Sequence, residues 1–475
     1  MNSKKIFMLI LFFLAPAITC FGSVFSVNSN GIFLHDTYIV PQGKNILIAP
    51  SSKVSCDKSW SSEDSSVAIV DNYGIVRGIK KGKTCIKAVN NDDNNESCCT
   101  VEVTEPEILK NCYSSAYSVA KNEDFEVCAI TEKCVEAVRF KINGTGYNSE
   151  CECTKNTNAS NGKIWKSKIS IPKNGTFDIN VDCKVGSEWK NFGDRPIFDI
   201  SVTDYTDIFI PNLNRKRVSK SAAKFIASCE GMRSKVYIDA AGFLTIGCGK
   251  KIESCDTFYD NLSQDEILAY FMQSLNCGVY SRAVNDFLIA NNIMFNQCQF
   301  DALVSFTFNL GFGWIRNGST LKDILINCKE QTYTFDKAVV HVDDLLWLRE
   351  APNTSSRKLR FLKNGSTLTI LDTNKINGNW YKVRTPNGTI GYCCGDYLEL
   401  YQETFFGKCL DSIDKEEFIN EFMQYHHANK KCLSGLLSRR AQELDIFFNG
   451  IYTKFDWKYY KKTHYELPLC AAHLQ

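Results

Sequence analysis

The sequence predicts a multidomain protein in which two N-terminal all-β sandwiches precede an α+β, mainly helical domain that is itself interrupted by a small β-barrel. Three observations carry this. The 475 residues exceed what a single hydrophobic core holds. Up to about residue 205 the chain is written in short strand-length runs separated by Gly, Asn and Lys, the pattern of β-sandwiches. Apolar residues then recur at helical spacing from Ser219, stop before Val339, and resume at Asp414, with strand-like text between.

The chain opens with Met1-Asn-Ser-Lys-Lys, an apolar run from Ile6 to Ile18, and the small residues around Gly22. A basic start and a hydrophobic stretch too short to span a bilayer describe a secretory signal peptide over 1–22. Cys20 follows the run, but the preceding Ala-Ile-Thr is a poor match for a lipidation site. Export agrees with the cysteines, 22 in all, scattered over every later segment rather than gathered at metal-ligand spacing. Disulfides are therefore expected, with an odd thiol left over once Cys20 leaves with the signal. Cys98-Cys99, Cys393-Cys394 and Cys151-x-Cys153 read as members of separate bridges, their connectivity open. Asn-x-Ser/Thr sites at Asn95, Asn143, Asn158, Asn174, Asn261, Asn317, Asn353, Asn364 and Asn387 would carry glycans in a eukaryotic source.

Residues 24–104 hold strand-length pieces in order: Trp60-Ser-Ser, Val67 to Asp71, Gly74-x-Val76-x-Gly78, Lys81 to Ile86 and Thr100 to Val103. This text resembles the bacterial immunoglobulin-like group 2 domain. The resemblance implies a spacer or a surface-binding module and no catalysis. Residues 105–205 show a second set, Phe125 to Val127, Ala137 to Ile142, Lys168 to Ile171, Phe177 to Val181 and Ile197 to Val202, which argues for a second, immunoglobulin-like sandwich. Trp165 and Trp189 are expected in its core, although either ring could stack on a sugar. The basic stretch Asn212 to Arg217 marks the boundary.

The stretch that organises the rest is Glu230 to Gly249. Before it, Ala222, Phe225, Ile226 and Cys229 fall at i, i+3, i+4 and i+7, so Glu230 stands at the end of a helix. After it, Val236-Tyr-Ile, the turn Asp239-Ala-Ala-Gly242 and Phe243 to Ile246 read as two strands and their connection. One helix end and one hairpin can thus aim two carboxylates and the Thr245 hydroxyl into one cleft. Taken singly, these are an ordinary helix-end charge, turn former and strand residue. As a set they suit glycoside hydrolysis, in which one carboxylic acid, kept protonated by an apolar setting, protonates the leaving oxygen while an ionised carboxylate serves the opposite face.

The spacing E-x8-D-x5-T, with Gly231 after the acid and Thr245-Ile-Gly-x-Gly249, resembles the phage-type lysozymes, glycoside hydrolase family 24. The resemblance implies Glu230 as the acid, Asp239 as the base and Thr245 as the holder of the attacking water, with inversion at the anomeric carbon. Inversion calls for carboxyl groups roughly 6.5–9.5 Å apart. Downstream, Ser263 with Glu266 forms a capping box ahead of Ile267, Leu268, Phe271, Met272 and Leu275. Asn296 to Gly311 and then Ser319-Thr-Leu resemble the family's central helix and the turn after it, which makes Asn309 and Ser319 candidate substrate contacts, structural roles being equally open. Where the family commonly has His, this chain has Lys250, which can still pair with a carboxylate. Cys229 and Cys248 beside these residues could brace the cleft as bridges or make activity redox-dependent.

The helical domain's first part, 216–332, gives way at 337–400 to strand text that resembles bacterial Src-homology-3-like repeats, in which Trp347, Trp380 and Tyr392 could line a groove, although Trp380 occupies a core position. The second part, 403–450, runs from Asp414, capping with Glu417, through Phe418, Ile419, Phe422, Met423 and His426 to Gly435-Leu-Leu-Ser-Arg-Arg440-Ala-Gln-Glu443. That last text resembles the helix closing the phage-type fold, so the barrel reads as an insert, which close termini permit. Arg439 and Arg440 could meet acidic groups of the substrate, though in the family the pair braces the domain. His426-His427 on one helix would point apart and have no third ligand nearby, so no metal is expected, nor any cofactor. The tail, 451–475, is aromatic and basic, with Cys470 expected to tie it down and no role assigned.

The formal net charge of +2 falls to about zero once Lys4 and Lys5 depart, which excludes strong capture of nucleic acid or anionic walls by charge alone. The whole predicts a secreted monomeric muramidase acting on bacterial peptidoglycan, without membrane insertion. The rivals are a hydrolase of chitin-like glycans and a non-catalytic wall-binding or adhesion protein.

Overall fold

The structure is a computed structural model that describes residues 35–50, 58–144, 146–192, 197–203, 215–316, 318–385, 389–428, 431–466 and 468. The signal segment 1–22, Asn212 to Asn214, the sequons at Asn317 and Asn387, and Cys470 lie outside the described residues. No described helix is long and apolar enough to cross a membrane.

The N-terminal region is β-rich. One four-stranded sheet is ordered Thr37–Pro41, Glu96–Thr104, Gly82–Asn90, Lys58–Ser62, its first pair parallel and the others antiparallel. Alternation builds it: Thr84, Ile86 and Ala88 turn inward, Lys83, Cys85 and Lys87 outward. Tyr38, Val40, Val76, Val101 and Val103 complete that core. A second sheet joins Asn45–Leu47, Ile75–Gly78 and Ala68–Val70, and takes a strand from far along the chain, Thr257–Phe258, onto Asn45–Ile46. The helical region is therefore hydrogen-bonded to the first sandwich.

Residues 109–203 form a four-stranded and a six-stranded sheet. Their shared interior holds Val127, Phe140, Trp165, Phe177 and Ile179, all essentially solvent-free. Trp189 departs from the expectation: it sits half-buried on the edge strand Glu188–Asn191, with the Arg139 guanidinium 4.1 Å from its ring centre. This sandwich continues without a break into the helical core. Lys220 pairs with Glu126 at 2.7 Å, and the Asn161 amide donates to Glu266 Oε1 at 3.1 Å.

The helices are α1 (Lys220–Glu230), α2 (Gln264–Cys277), α3 (Val279–Ala290), α4 (Gln297–Leu310), α5 (Thr320–Ile326), α6 (Lys415–Met423) and α7 (Ser434–Asn449). Ser219 caps α1, Ser263 and Glu266 make the expected capping box on α2, Asn296 and Gln299 make another on α4, and Asp414 caps α6. One apolar core unites α1 to α5 with α6 and α7: Phe306 of α4 lies 4.2 Å from Phe422 of α6 between ring centres, and Phe418 stacks on Phe447 of α7. His426 does not continue α6. It follows the helix, fully buried, its Nδ1 2.6 Å from the Met423 carbonyl, and His427 starts a two-residue strand.

Between α5 and α6 the chain leaves on Glu330–Val340 and returns on Leu398–Cys409, paired antiparallel from Glu330↔Lys408 to Val340↔Leu398. Ile293–Met294 adds in parallel at the helical end, and five strands between 345 and 394 complete an eight-stranded sheet at the other. Leu346, Leu348, Leu362, Tyr381, Val383 and Cys393 form a separate small core. Trp380 is not part of it. It alternates with the inward Tyr381 and lies half-buried on the opposite face, as do Trp347 and Tyr392.

Candidate active site

Glu230 is the last residue of α1, and Gly231, at φ 79, turns the chain out of the helix. That left-handed backbone is one a residue with a side chain rarely adopts, so the glycine fixes where the helix ends. The acid is not in the apolar setting the sequence suggested. Its Oε1 accepts from Arg439 Nη1 at 2.7 Å, with Glu230 about 29% exposed and Arg439 about 5%. Glu230 is therefore partly open to solvent on one side and meets a buried cation on the other.

Arg439 is placed by a network that α7 and α4 supply together. Its Nε lies 3.1 Å from Glu443 Oε1, one turn on, and its Nη2 donates to the Ser305 carbonyl of α4. Ser305 Oγ donates to the same Glu443 oxygen at 2.6 Å. Arg440 Nε approaches Glu443 Oε2 to 2.8 Å without the alignment of a hydrogen bond, so charge rather than direction holds it. The Arg440 guanidinium also rests 4.7 Å from the Phe306 ring centre. Glu443 and Arg440 are fully buried. Two cations thus meet one buried carboxylate, and Arg439 also reaches Glu230. The nearer cation holds the catalytic candidate.

Asp239 is held locally. Its Oδ1 accepts from the amides of Ala241 and Phe243, both at 2.9 Å, while its own amide donates to the Phe243 carbonyl, closing the turn between strands Arg233–Ile238 and Leu244–Gly247. That leaves Oδ2 for other partners. The Thr245 hydroxyl lies 3.4 Å from Oδ2 and 3.1 Å from the Phe243 carbonyl, and its single proton serves one of them at a time. Thr245 is only 2% exposed, so its hydroxyl acts on Asp239 or on a molecule lodged against it.

Tyr237 lies on the strand that leads to Asp239. Burial raises its phenol first, Arg233 opposes this, and the charges of Asp239 and Glu230 add to the rise. Tyr280 is raised by burial and again by Glu230, and it stacks on Phe312 at 5.5 Å. Sequence reading missed both tyrosines, since neither belongs to a spaced motif; Tyr237 stood one strand position from the turn and Tyr280 on α3, far along the chain.

Of the two candidate substrate contacts, Asn309 accepts from Arg440 Nη2 at 3.0 Å and so belongs to the arginine network. Ser319 caps α5, accepting from the Lys322 amide. Lys250 pairs with Asp256 at 3.4 Å on the surface, the carboxylate partner foreseen for it. All nineteen described cysteines are unbridged. Burial pushes the Cys229 thiol up to about 12 despite the opposing Arg439 charge, and Cys248 likewise, with Glu230 adding to the rise. Both stay protonated, poor nucleophiles at neutral pH. The described residues contain no cluster of three His, Cys, Asp or Glu groups fit for a metal ion.

Comparison with known proteins gives three family matches on this chain. The phage lysozyme model matches residues 227–337, the bacterial Ig-like domain (group 2) residues 45–101, and the bacterial SH3 domain residues 345–399. The chain thus combines those three kinds of segment. No curated protein matches it. Among solved structures, an endolysin from Escherichia coli O157:H7 phage FAHEc1 is similar at 16% identity and TM-score 0.25, over 52% of this chain and 100% of the endolysin. Domains 4 and 5 of the S-layer protein SbsC are similar at 18% identity and TM-score 0.14, over 33% of this chain and 75% of theirs.

Proposed function

We propose that the chain is a muramidase, cutting the β-1,4 bond between N-acetylmuramic acid and N-acetylglucosamine in peptidoglycan. The observation that carries this is a helix-end glutamate held by a buried arginine and, nine residues on, a turn-held aspartate beside the Thr245 hydroxyl, both carboxylates inside the phage lysozyme match. Glu230 is the acid that protonates the glycosidic oxygen. Asp239, its Oδ1 occupied by the turn amides, keeps Oδ2 to take a proton from water, and Thr245 orients that carboxylate and the water beside it. A single displacement with inversion follows from this assignment, and it requires space for water between the carboxyl groups, roughly 6.5–9.5 Å. Asn309 and Ser319 contact the glycan at the cleft edge. The lysozyme domain comprises 216–332 and 403–450, the barrel at 337–400 is an insert in it, and the protein is exported and works as a monomer.

The mature protein and Glu230→Gln are each incubated with peptidoglycan, and the released fragments are identified by mass spectrometry. Fragments ending in reducing muramic acid, from the wild type alone, are expected. Fragments ending in reducing glucosamine would reassign the bond, and equal release by both proteins would remove Glu230 from the role of acid.

A further inference from the structure

The segment after α7 is pinned at several places and yet exposes its largest apolar side chain. The Phe455 amide donates to Ser228 Oγ at 2.8 Å, two residues before Glu230. Gln442 Oε1 accepts from the Asp456 amide at 3.0 Å, Ser438 Oγ donates to the Trp457 carbonyl at 3.0 Å, and the Tyr460 amide donates to Ser438 Oγ at 3.1 Å. Ser438 and Gln442 are buried residues of α7, so the backbone on both sides of Trp457 is fixed from within. Trp457 itself is 67% exposed, and the Phe455 ring, 5.1 Å away at 69°, sets its tilt.

Its place follows from Gly435. A Cβ there would collide with the indole, so the ring rests directly on the α7 backbone at that glycine. Gly435 precedes Arg439 by four residues, one turn, or about 6 Å along the same face of the helix. The indole is thus a turn away from the cation that holds Glu230, while Phe455 is tied to the helix that carries Glu230. A rigid backbone presenting a large apolar face to water is costly unless something covers that face.

We propose that Trp457 is a saccharide platform: its exposed face stacks on the C–H face of an N-acetylhexosamine ring of the glycan strand, one or more units away from the scissile bond. The inference rests on the muramidase reading for the identity of the glycan. An indole suits the task because its large face is electron-rich and meets the electropositive C–H groups of a sugar with little loss of side-chain freedom. Gly435 is the positioning residue, since any side chain there displaces the ring.

The test uses the full chain in a Glu230→Gln background, titrated calorimetrically with chitohexaose and with chitobiose. Trp457→Ala should weaken chitohexaose binding about tenfold, Trp457→Tyr should restore it to within about twofold, and Gly435→Ala should weaken it by an amount similar to Trp457→Ala. Chitobiose, too short to reach beyond the cleft, should bind all four proteins alike. Unchanged chitohexaose affinity in Trp457→Ala would overturn the platform, as would an equal loss for both sugars, which marks general disruption. The muramidase reading fails separately: if wild type releases no fragments from peptidoglycan while Trp457→Ala still weakens chitohexaose binding, the platform stands and the assigned reaction falls.

Discussion

Glu230 and Asp239 stand close together in the sequence and are held by opposite means. Asp239 is fixed by its own turn, through the Ala241 and Phe243 amides. Glu230 is fixed by Arg439, 209 residues on, beyond the whole strand region from 330 to 409, and Arg439 in turn by Glu443 and Ser305. The base candidate is local and the acid candidate is global. The difference teaches that the two halves of one site should fail in different ways: one by losing chemistry alone, the other by losing chemistry and stability together.

The largest effect should come from Glu443→Ala. It strands Arg439 and Arg440 in the core, and an uncompensated buried charge costs about 3–5 kcal/mol, a large fraction of the stability of a typical domain. Chemical denaturation should show that loss, and hydrolysis of peptidoglycan should fall with it because Arg439 then keeps only the Ser305 carbonyl and Glu230 itself to orient it. A loss below about 1 kcal/mol would mean that the network does not hold the acid. Arg439→Met tests the same link from the other end. Its cost should come from Glu443, which it leaves with Arg440 and Ser305, rather than from Glu230, whose exposed side water can solvate.

Asp239→Asn should separate chemistry from stability. The amide oxygen can still accept from the turn amides, so the midpoint of unfolding should shift by no more than about 1 kcal/mol. Loss of the proton acceptor should nevertheless lower turnover on the order of 100-fold. A large loss of stability would show that the hairpin depends on the charge and would erase the contrast with Glu230.

The same contrast explains what the sequence disclosed. The end of α1, the turn at Asp239 and the caps at Ser263 and Asp414 were legible because each is written within a few residues. The contact of Arg439 with Glu230 was not, although the resemblance of the Arg-Arg-x-x-Glu text to the closing helix implied that the pair braces the domain; spacing names the members of a helix face but not what that face meets. For that reason the expected apolar setting of Glu230 was wrong. Trp380 and Trp189 were misplaced for a different reason. In a strand, a shift of one position exchanges the faces, and Trp380 next to Tyr381 gives no sign of which one turns inward. Nor could any local pattern show Thr257–Phe258 joining Asn45–Leu47, because both partners are short and their pairing is a matter of assembly.

The smallest effect concerns the entry to α7. His426 is buried between α6 and α7, and its carbonyl accepts from the Leu433 amide. Burial, with His427 beside it, holds its pKa below the usual histidine value against the opposing hydrogen bond to the Met423 carbonyl. A base whose folded pKa is depressed binds more protons when unfolded, so its contribution is intact above the unfolded value of about 6.5 and is lost as pH falls below it. Stability of the wild type should decline on acidification more than that of His426→Asn, which keeps a donor for the Met423 carbonyl and does not titrate. Denaturant midpoints at several pH values between 8 and 5 give the difference directly, and parallel curves would discard the histidine as a source. Since α7 carries Arg439, the decline should be accompanied by weaker retention of Glu230. The Asp239 hairpin, closed by its own amides, should keep its geometry throughout.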